Sequence, residues 1–226
     1  MQTFFCHRYA AHQMFTMSKS WEKVFYVFTW LFQGSAYLSA RTYGILHRMH
    51  HFHVDTEDDV HSPKHDKGII KMMLKTRDIY NTIHYGELKV EDRFLNHLPQ
   101  WDTFDKFANH RITRLTWVLV YVGFYMVFAT EWWMFLFIPF HILTSPIHGV
   151  IINWFAHTIG YRNHDEENTS TNLFPIDLLM LGEGLHNNHH KMALRANFAQ
   201  KWFEFDPAYV IITLLNILGI IKLRKQ

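Results

Sequence analysis

The chain has 226 residues, a length for one domain, with a formal net charge of +2 and one cysteine, Cys6. Near-neutral charge argues against a nucleic-acid binder, and a single thiol excludes an internal disulfide and argues against a cysteine-rich zinc site. What remains is 18 histidines, close to the 22 lysines plus arginines, beside 20 Phe, 10 Tyr and 8 Trp. That composition fits a membrane-associated metal protein.

The opening string MQTFFCHRYAAH has no basic segment followed by an apolar run and a small-residue cleavage site, so it is not a signal peptide. It carries His7 and His12. On an α-helix, residues five apart diverge by about 140°, so this pair is read as serving two ions or straddling a helix end. Next comes an apolar stretch, residues 25–37 (FYVFTWLFQGSAY), interrupted by Gln33, Gly34 and Ser35 and followed by Ser39 and Arg41. It is predicted to lie in a membrane interface or to re-enter, without crossing.

HRMHH at residues 47–51 then supplies His47, His50 and His51. At i, i+3 and i+4 on a helix they share one side. The acidic string behind it holds Asp55, Asp58 and Asp59. Residues 53–77, 85–110 and 162–172 are polar, and no low-complexity tract or flexible linker interrupts the chain.

Residues 112–152 form an apolar block with one acidic residue, Glu131, near its middle. It is predicted to be a hairpin of two transmembrane helices, over 115–129 and 132–152, with Thr130 and Glu131 at the far turn. Arg111 and Arg114 just before it place that end on the cytoplasmic side. His141 and His148 lie inside the second crossing, and whether they are functional stays open. Just beyond, His157 follows Asn153 by four residues, on the same helical side.

HNNHH at residues 186–190 repeats the earlier layout with His186, His189 and His190. The tail, 207–221, reads as an interfacial helix whose end, KLRKQ, stays in water. Two crossings between His51 and His186 bring both HxxHH strings to one membrane side, and His7 and His12 share that side provided residues 25–37 do not cross. The other histidines, His53, His61, His65, His84, His97, His110 and His164, read as polar-surface residues.

Eight or nine clustered imidazoles suit two borderline metal ions, and iron is the natural choice for oxygen chemistry. No HExxH string is present, and only one Glu-x-x-His, Glu183 to His186. Asp55, Asp58, Asp59, Asp165 and Glu183 are candidates to orient imidazole N–H groups, whereas Glu166 and Glu167 read as solvated.

With these residues in place, the chain resembles the membrane fatty-acid desaturases, in particular the stearoyl-CoA (delta-9 acyl-CoA) type. The strings that carry the likeness are HRYAAH, HRMHHFHVDTEDDVHSP, NWFAH, GEGLHNNHH and WFEFDP. The resemblance implies an all-α, membrane-embedded helical bundle with a cytosolic His-rich di-iron cap, formed by residues 1–226 as a single desaturase domain. His7, His12, His47, His50, His51, His157, His186, His189 and His190 would bind two irons, with Asn153 acting through a water. Asp55, Asp59 and Glu183 would stand behind them.

The implied reaction takes O2, two electrons and a saturated acyl chain, carried by CoA or a lipid, and leaves a cis double bond. The family has a transmembrane helix pair ahead of its first histidine box. Only six residues precede His7, so two further helices are expected upstream. No heme, flavin or iron–sulfur motif is visible, so the electron donor is expected to be a separate protein similar to cytochrome b5 or a ferredoxin. A lipid hydroxylase with the same di-iron site is the near alternative. A zinc-dependent membrane lipid hydrolase and a membrane metal carrier are more distant ones. The scarcity of polar groups in 115–129 weighs against the carrier.

Overall fold

The computed structural model describes residues 1–224, and the fold is mostly helical. It opens with a π-helix, Gln2–Ala11. Then follow strand β1 (Phe15–Met17) and helices α1 (Lys19–Gln33), α2 (Ala40–His53), α3 (Ile69–His84), α4 (Asp92–Leu95) and α5 (Asp102–Asn109). Next are α6 (Arg111–Phe128), α7 (Ile138–Ile142), α8 (Thr144–Asn153), α9 (His186–Lys191), α10 (Pro207–Ile217) and strand β2 (Ile221–Leu223).

Local chemistry sets several of these boundaries. Ser18 caps α1 by accepting from the Trp21 N–H at 3.3 Å, and Ser39 caps α2 through Thr42 at 3.4 Å. Asp206 caps α10 through Tyr209 at 3.1 Å, with Pro207 in the first helical turn, where its missing N–H costs nothing. Gly34 ends α1 in a left-handed conformation, φ 54°.

Residues 25–37 break where Gln33, Gly34 and Ser35 interrupt them. The helix stops, and a 3₁₀ turn, Gly34–Ala36, folds back against α6 and α8. Side chains satisfy its backbone. Arg114 donates to the carbonyls of Ser35 and Tyr37, each at 2.7 Å, and the Ser35 N–H donates to the Tyr121 hydroxyl at 3.1 Å. The Ser145 hydroxyl donates to the Ala36 carbonyl at 2.7 Å. Arg114 therefore serves as a clasp as well as a charge at a helix end.

The apolar block departs from two straight crossings. Among the described residues only α6 is by itself long and apolar enough to cross a membrane, and none of its residues is buried against protein. The second predicted crossing breaks into a 3₁₀ segment (Trp132–Phe137), α7, and α8 with its extension to His157. The two parts bend by 62°. Pro146 is the cause. It has no N–H for the carbonyl four residues back, at Ile142, and α7 ends at Ile142.

The tail also differs from the single helix expected over 207–221. The helix α10 ends at Ile217, Gly219 turns the chain at φ 68°, and β2 pairs antiparallel with β1, Phe15 opposite Leu223. The Asn216 side chain holds the return by accepting from the Leu223 N–H at 3.0 Å. Of the KLRKQ end, Lys225 and Gln226 lie outside the described residues.

The main core sits under the π-helix and is largely aromatic: Phe4, Phe5, Phe15, Phe25, Tyr26 and Phe198, with Leu185 and Ile212. Phe4 and Phe15 stack at 4.9 Å, and Tyr26 meets Phe5 edge-on at 5.1 Å. Arg8 crosses this core fully buried. It makes a two-pronged contact with Asp206 at 2.8 and 3.1 Å and lies 3.9 Å over the Phe198 ring. Loss of either partner in such a pair costs about 3–5 kcal/mol. A second cluster, Ile45, Leu46, Val60, Tyr80, Ile83 and Phe94, joins α2 to α3 and α4.

Candidate metal centre

The nine singled-out histidines gather at one place as two groups. His7, His12, His47, His51 and His189 form one, and His50, His157, His186 and His190 form the other. In each, the available ligand atoms all lie within 4.8 Å of one another. All nine are buried or half-buried.

The π-helix corrects the reading of His7 and His12. Its backbone bonds span five residues, as in the His12 N–H to His7 carbonyl contact of 3.1 Å. Residues five apart then lie one turn apart on the same side. The two rings stand 4.9 Å apart and join the same group, where α-helical geometry would have separated them. Arg48, a spacer inside HRMHH, holds the end of this π-helix. Its guanidinium donates to the Ala11 carbonyl at 2.7 Å and the Ala10 carbonyl at 2.9 Å, and on the other side to Asn96 at 2.7 Å.

The ring nitrogens approach each other as ligands of one ion would. In the first group, Nε2 atoms of His12 and His47 are 2.8 Å apart. His47 and His51 are 3.0 Å apart, His51 and His189 2.9 Å, and His7 and His189 3.1 Å. In the second, His186 is 3.0 Å from both His157 and His190. Two nitrogens at right angles around an ion about 2.0–2.2 Å away stand about 3 Å apart. The His50 Nε2 is buried with no hydrogen-bond partner, as expected of a nitrogen reserved for a ligand.

Carboxylates hold the far nitrogens. The Asp59 Oδ1 is 2.8 Å from His50 Nδ1, and Glu183 contacts His7 Nδ1. Asp55 acts one step further out. It accepts from the Thr169 N–H at 2.6 Å, and the Thr169 hydroxyl is 3.2 Å from His157 Nδ1. Such contacts fix the ring orientation and leave Nε2 bare for a metal. Asp58 and Asp165, the other candidates for this task, are exposed. Asn153 is half-buried at the end of α8 and faces the adjoining cavity.

Electrostatics agree with a metal-binding role. Burial, with neighbouring cations and imidazoles adding to it, holds His7, His12, His47, His51, His186, His189 and His190 well below the usual imidazole range. They are neutral, the form that binds metals. The two carboxylates differ. Burial alone would raise Asp59, but the contact with His50, the nearby His61 and the Asp55 backbone N–H together outweigh it and hold it at about 2. For Glu183, burial wins over the Arg8 guanidinium and pushes it up to about 7.

A cavity of about 820 Å³ opens beside both groups. The wall between α3 and α8 is aliphatic: Ile69, Ile70, Met73, Leu74, Ile147, Val150, Ile151 and Ile152. At the inner end stand His7, His47, His61, His186, Asn153 and Glu183. The abundant aromatics are found mainly in the core and on the exposed side of α6, and those that line the cavity are Tyr43, Tyr80 and Phe155.

The fatty acid desaturase family model matches residues 1–212. The chain belongs to the fatty acid desaturase family. It is thereby placed among the oxidoreductases acting on acyl chains. A stearoyl-lipid 9-desaturase of Anabaena variabilis is 27% identical over 95% of this chain and 74% of its own length. One from Synechocystis is 29% identical over 96% of this chain, which spans 64% of that relative. An acyl-CoA 5-desaturase of Anemone leveillei is 26% identical, with 95% of this chain and 64% of the relative covered.

One histidine at this centre lies where its sequence shows little sign of it. His61, read as a polar-surface histidine, is 4% exposed and its ring stacks on His50 at 4.3 Å. Its place in DDVHSP, two residues past Asp59, was the only signal. His141 stands at the apolar helices, 2.9 Å from the Tyr125 hydroxyl, away from both groups. His148 lines the cavity without joining either group.

Proposed function

We propose that this chain is an O2-dependent acyl desaturase that places a cis double bond at the delta-9 position of a saturated acyl chain. The observation that carries this is the convergence of nine imidazoles into two adjacent groups beside a largely aliphatic cavity. Each group holds one iron. Asn153 contributes through a water, and Asp59, Glu183 and Asp55 keep the rings oriented. With O2 and two electrons from a separate donor, a bound iron pair supplies the oxidising power to remove two hydrogens from neighbouring methylenes.

The protein does the rest. The α3–α8 cavity takes the acyl chain, extends it past His47 and His186, and keeps water from the reacting carbons. The carbon nearest the two groups is chosen by how far the chain reaches before it is stopped. Residues 1–226 act as one domain, and α6 with the bent α7–α8 pair anchors it in the membrane, with the histidines on the cytoplasmic side. The relatives' names favour a stearoyl chain carried by a lipid or CoA, and the donor is a cytochrome b5-like or ferredoxin-like protein.

The test is expression in a desaturase-deficient host, with fatty acids analysed for wild type and His189→Ala. A cis-9 monounsaturated product from wild type alone is expected. Identical fatty acids from both would sink the proposal, and a hydroxy fatty acid would replace it with a hydroxylase.

A further inference from the structure

His61 is a buried histidine that the ligand set does not use. It sits in the loop after α2, and that loop is tied down on every side. The Asp59 Oδ1 that holds His50 Nδ1 also accepts the His61 backbone N–H, at 3.1 Å. Ser62 donates to Asp55 at 2.8 Å, Lys75 to the Asp59 carbonyl at 2.8 Å, and Thr76 to the Val60 carbonyl at 3.3 Å. The result is a ring laid nearly flat on His50, with centroids 4.3 Å apart and planes at 27°. Most other histidine contacts at this centre are edge-on. The His61 Nδ1 is buried without a hydrogen-bond partner, so no polar contact at that atom explains the placement.

His50 is the one member of the four-histidine group that comes from α2. Its Nδ1 contact with Asp59 fixes a direction but leaves the ring free to rotate about that line. A flat neighbour removes that rotation.

We propose that His61 is a positioning residue that sets the plane of His50 by stacking and so tunes the affinity of the four-histidine group for its metal ion. The His61 ring also lines the cavity, which His50 does not. The inference rests on the reading that this group holds an ion.

The experiment uses the full chain in detergent, stripped of metal and titrated anaerobically with Fe(II), and with Co(II) as a spectroscopic reporter. His61→Phe keeps a flat ring, His61→Gln keeps a polar group without one, and His61→Ala keeps neither. Expected is a roughly 10- to 100-fold weaker second ion in His61→Ala and His61→Gln, an unchanged first ion, and near wild-type binding with an unaltered Co(II) spectrum in His61→Phe. If His61→Ala fails to fold, the Phe and Gln variants still decide. Equal second-ion affinity in those two, or better binding by Gln, overturns the stacking role. A wild type that binds only one ion overturns the two-ion reading itself, an outcome distinct from wild type binding two while the variants match it.

Discussion

The two histidine groups draw on the same two HxxHH strings in opposite proportions. From α2, His47 and His51 go to the five-histidine group and His50 to the other. From α9, His186 and His190 go to the four-histidine group and only His189 crosses over. In both, the i and i+4 residues stay together, and the i+3 residue points away. On a helix, i+4 returns to within about 40° of i, whereas i+3 and i+4 are about 100° apart. Each string is therefore a bridge between two sites and not one grip per ion. What completes each group also differs. The π-helix adds His7 and His12 to one, and the end of the α8 extension adds His157 to the other.

The largest effects should come from the loss of one ligand from each group. His189→Ala and His186→Ala should each lower product by more than about 100-fold, beyond the roughly 10- to 100-fold typical of losing an outer partner. Elemental analysis should find one ion per chain in either variant. His189→Ala combined with His12→Ala should still hold one ion, and His189→Ala combined with His186→Ala none. Both ions vanishing from a single variant would break the two-group picture.

The outer carboxylates sharpen the contrast. Asp59→Asn should weaken only the ion held with His50, and Glu183→Gln only the ion held with His7, each by about 10- to 100-fold in a competitive chelator titration. A change at the wrong ion would refute the assignment of that carboxylate.

The same pair should respond to pH with opposite signs in the metal-free protein. Asp59 lies at about 2 in the fold, below its ordinary value, so its ionised form favours folding. That stability is complete above the ordinary carboxylate range and is lost as pH falls towards 2. It amounts to about 2 kcal/mol. Glu183 lies at about 7, above its ordinary value, so the folded state prefers it neutral. Its ionisation costs nothing below the ordinary range and grows to about 3 kcal/mol above pH 7. Thermal melts should show Asp59→Asn destabilised at pH 7, and by only about a third as much at pH 2.5. Glu183→Gln should melt higher than wild type at pH 8 and equally at pH 4.5. Parallel shifts in the two variants would remove the contrast.

Much of this centre was legible because its spacings repeat a helical period. The HxxHH strings and the interruption at residues 33–35 follow from counting residues along helices. Most of the misses have a common source, backbone that departs from the α-helix. His7 and His12 share a group because the first helix winds as π. The second apolar crossing bends where Pro146 leaves the Ile142 carbonyl without its usual donor. The tail turns at Gly219 into a strand. His61 was hidden because a loop held by tertiary contacts places it, and no period marks such a position. Arg48 looked like a spacer because its partners, Ala10, Ala11 and Asn96, are far away in sequence.

The smallest effect tests how the π-helix is seated. Gly44 faces it across α2, and a Cβ there would lie 2.7 Å from a Leu98 methyl and 3.3 Å from the Ala10 carbonyl. The Leu98 end can rotate away. The Ala10 carbonyl is held by Arg48 and can yield only if the π-helix shifts with it. Gly44→Ala should therefore cost about 1–3 kcal/mol by overpacking. The shift would carry His7 and His12, which ride on that helix, but not His157 or His186. Several-fold weaker binding at the five-histidine group, with the other unchanged, is the expected titration result. Equal weakening at both would mean that α2 itself moves and that the two groups share one rigid support.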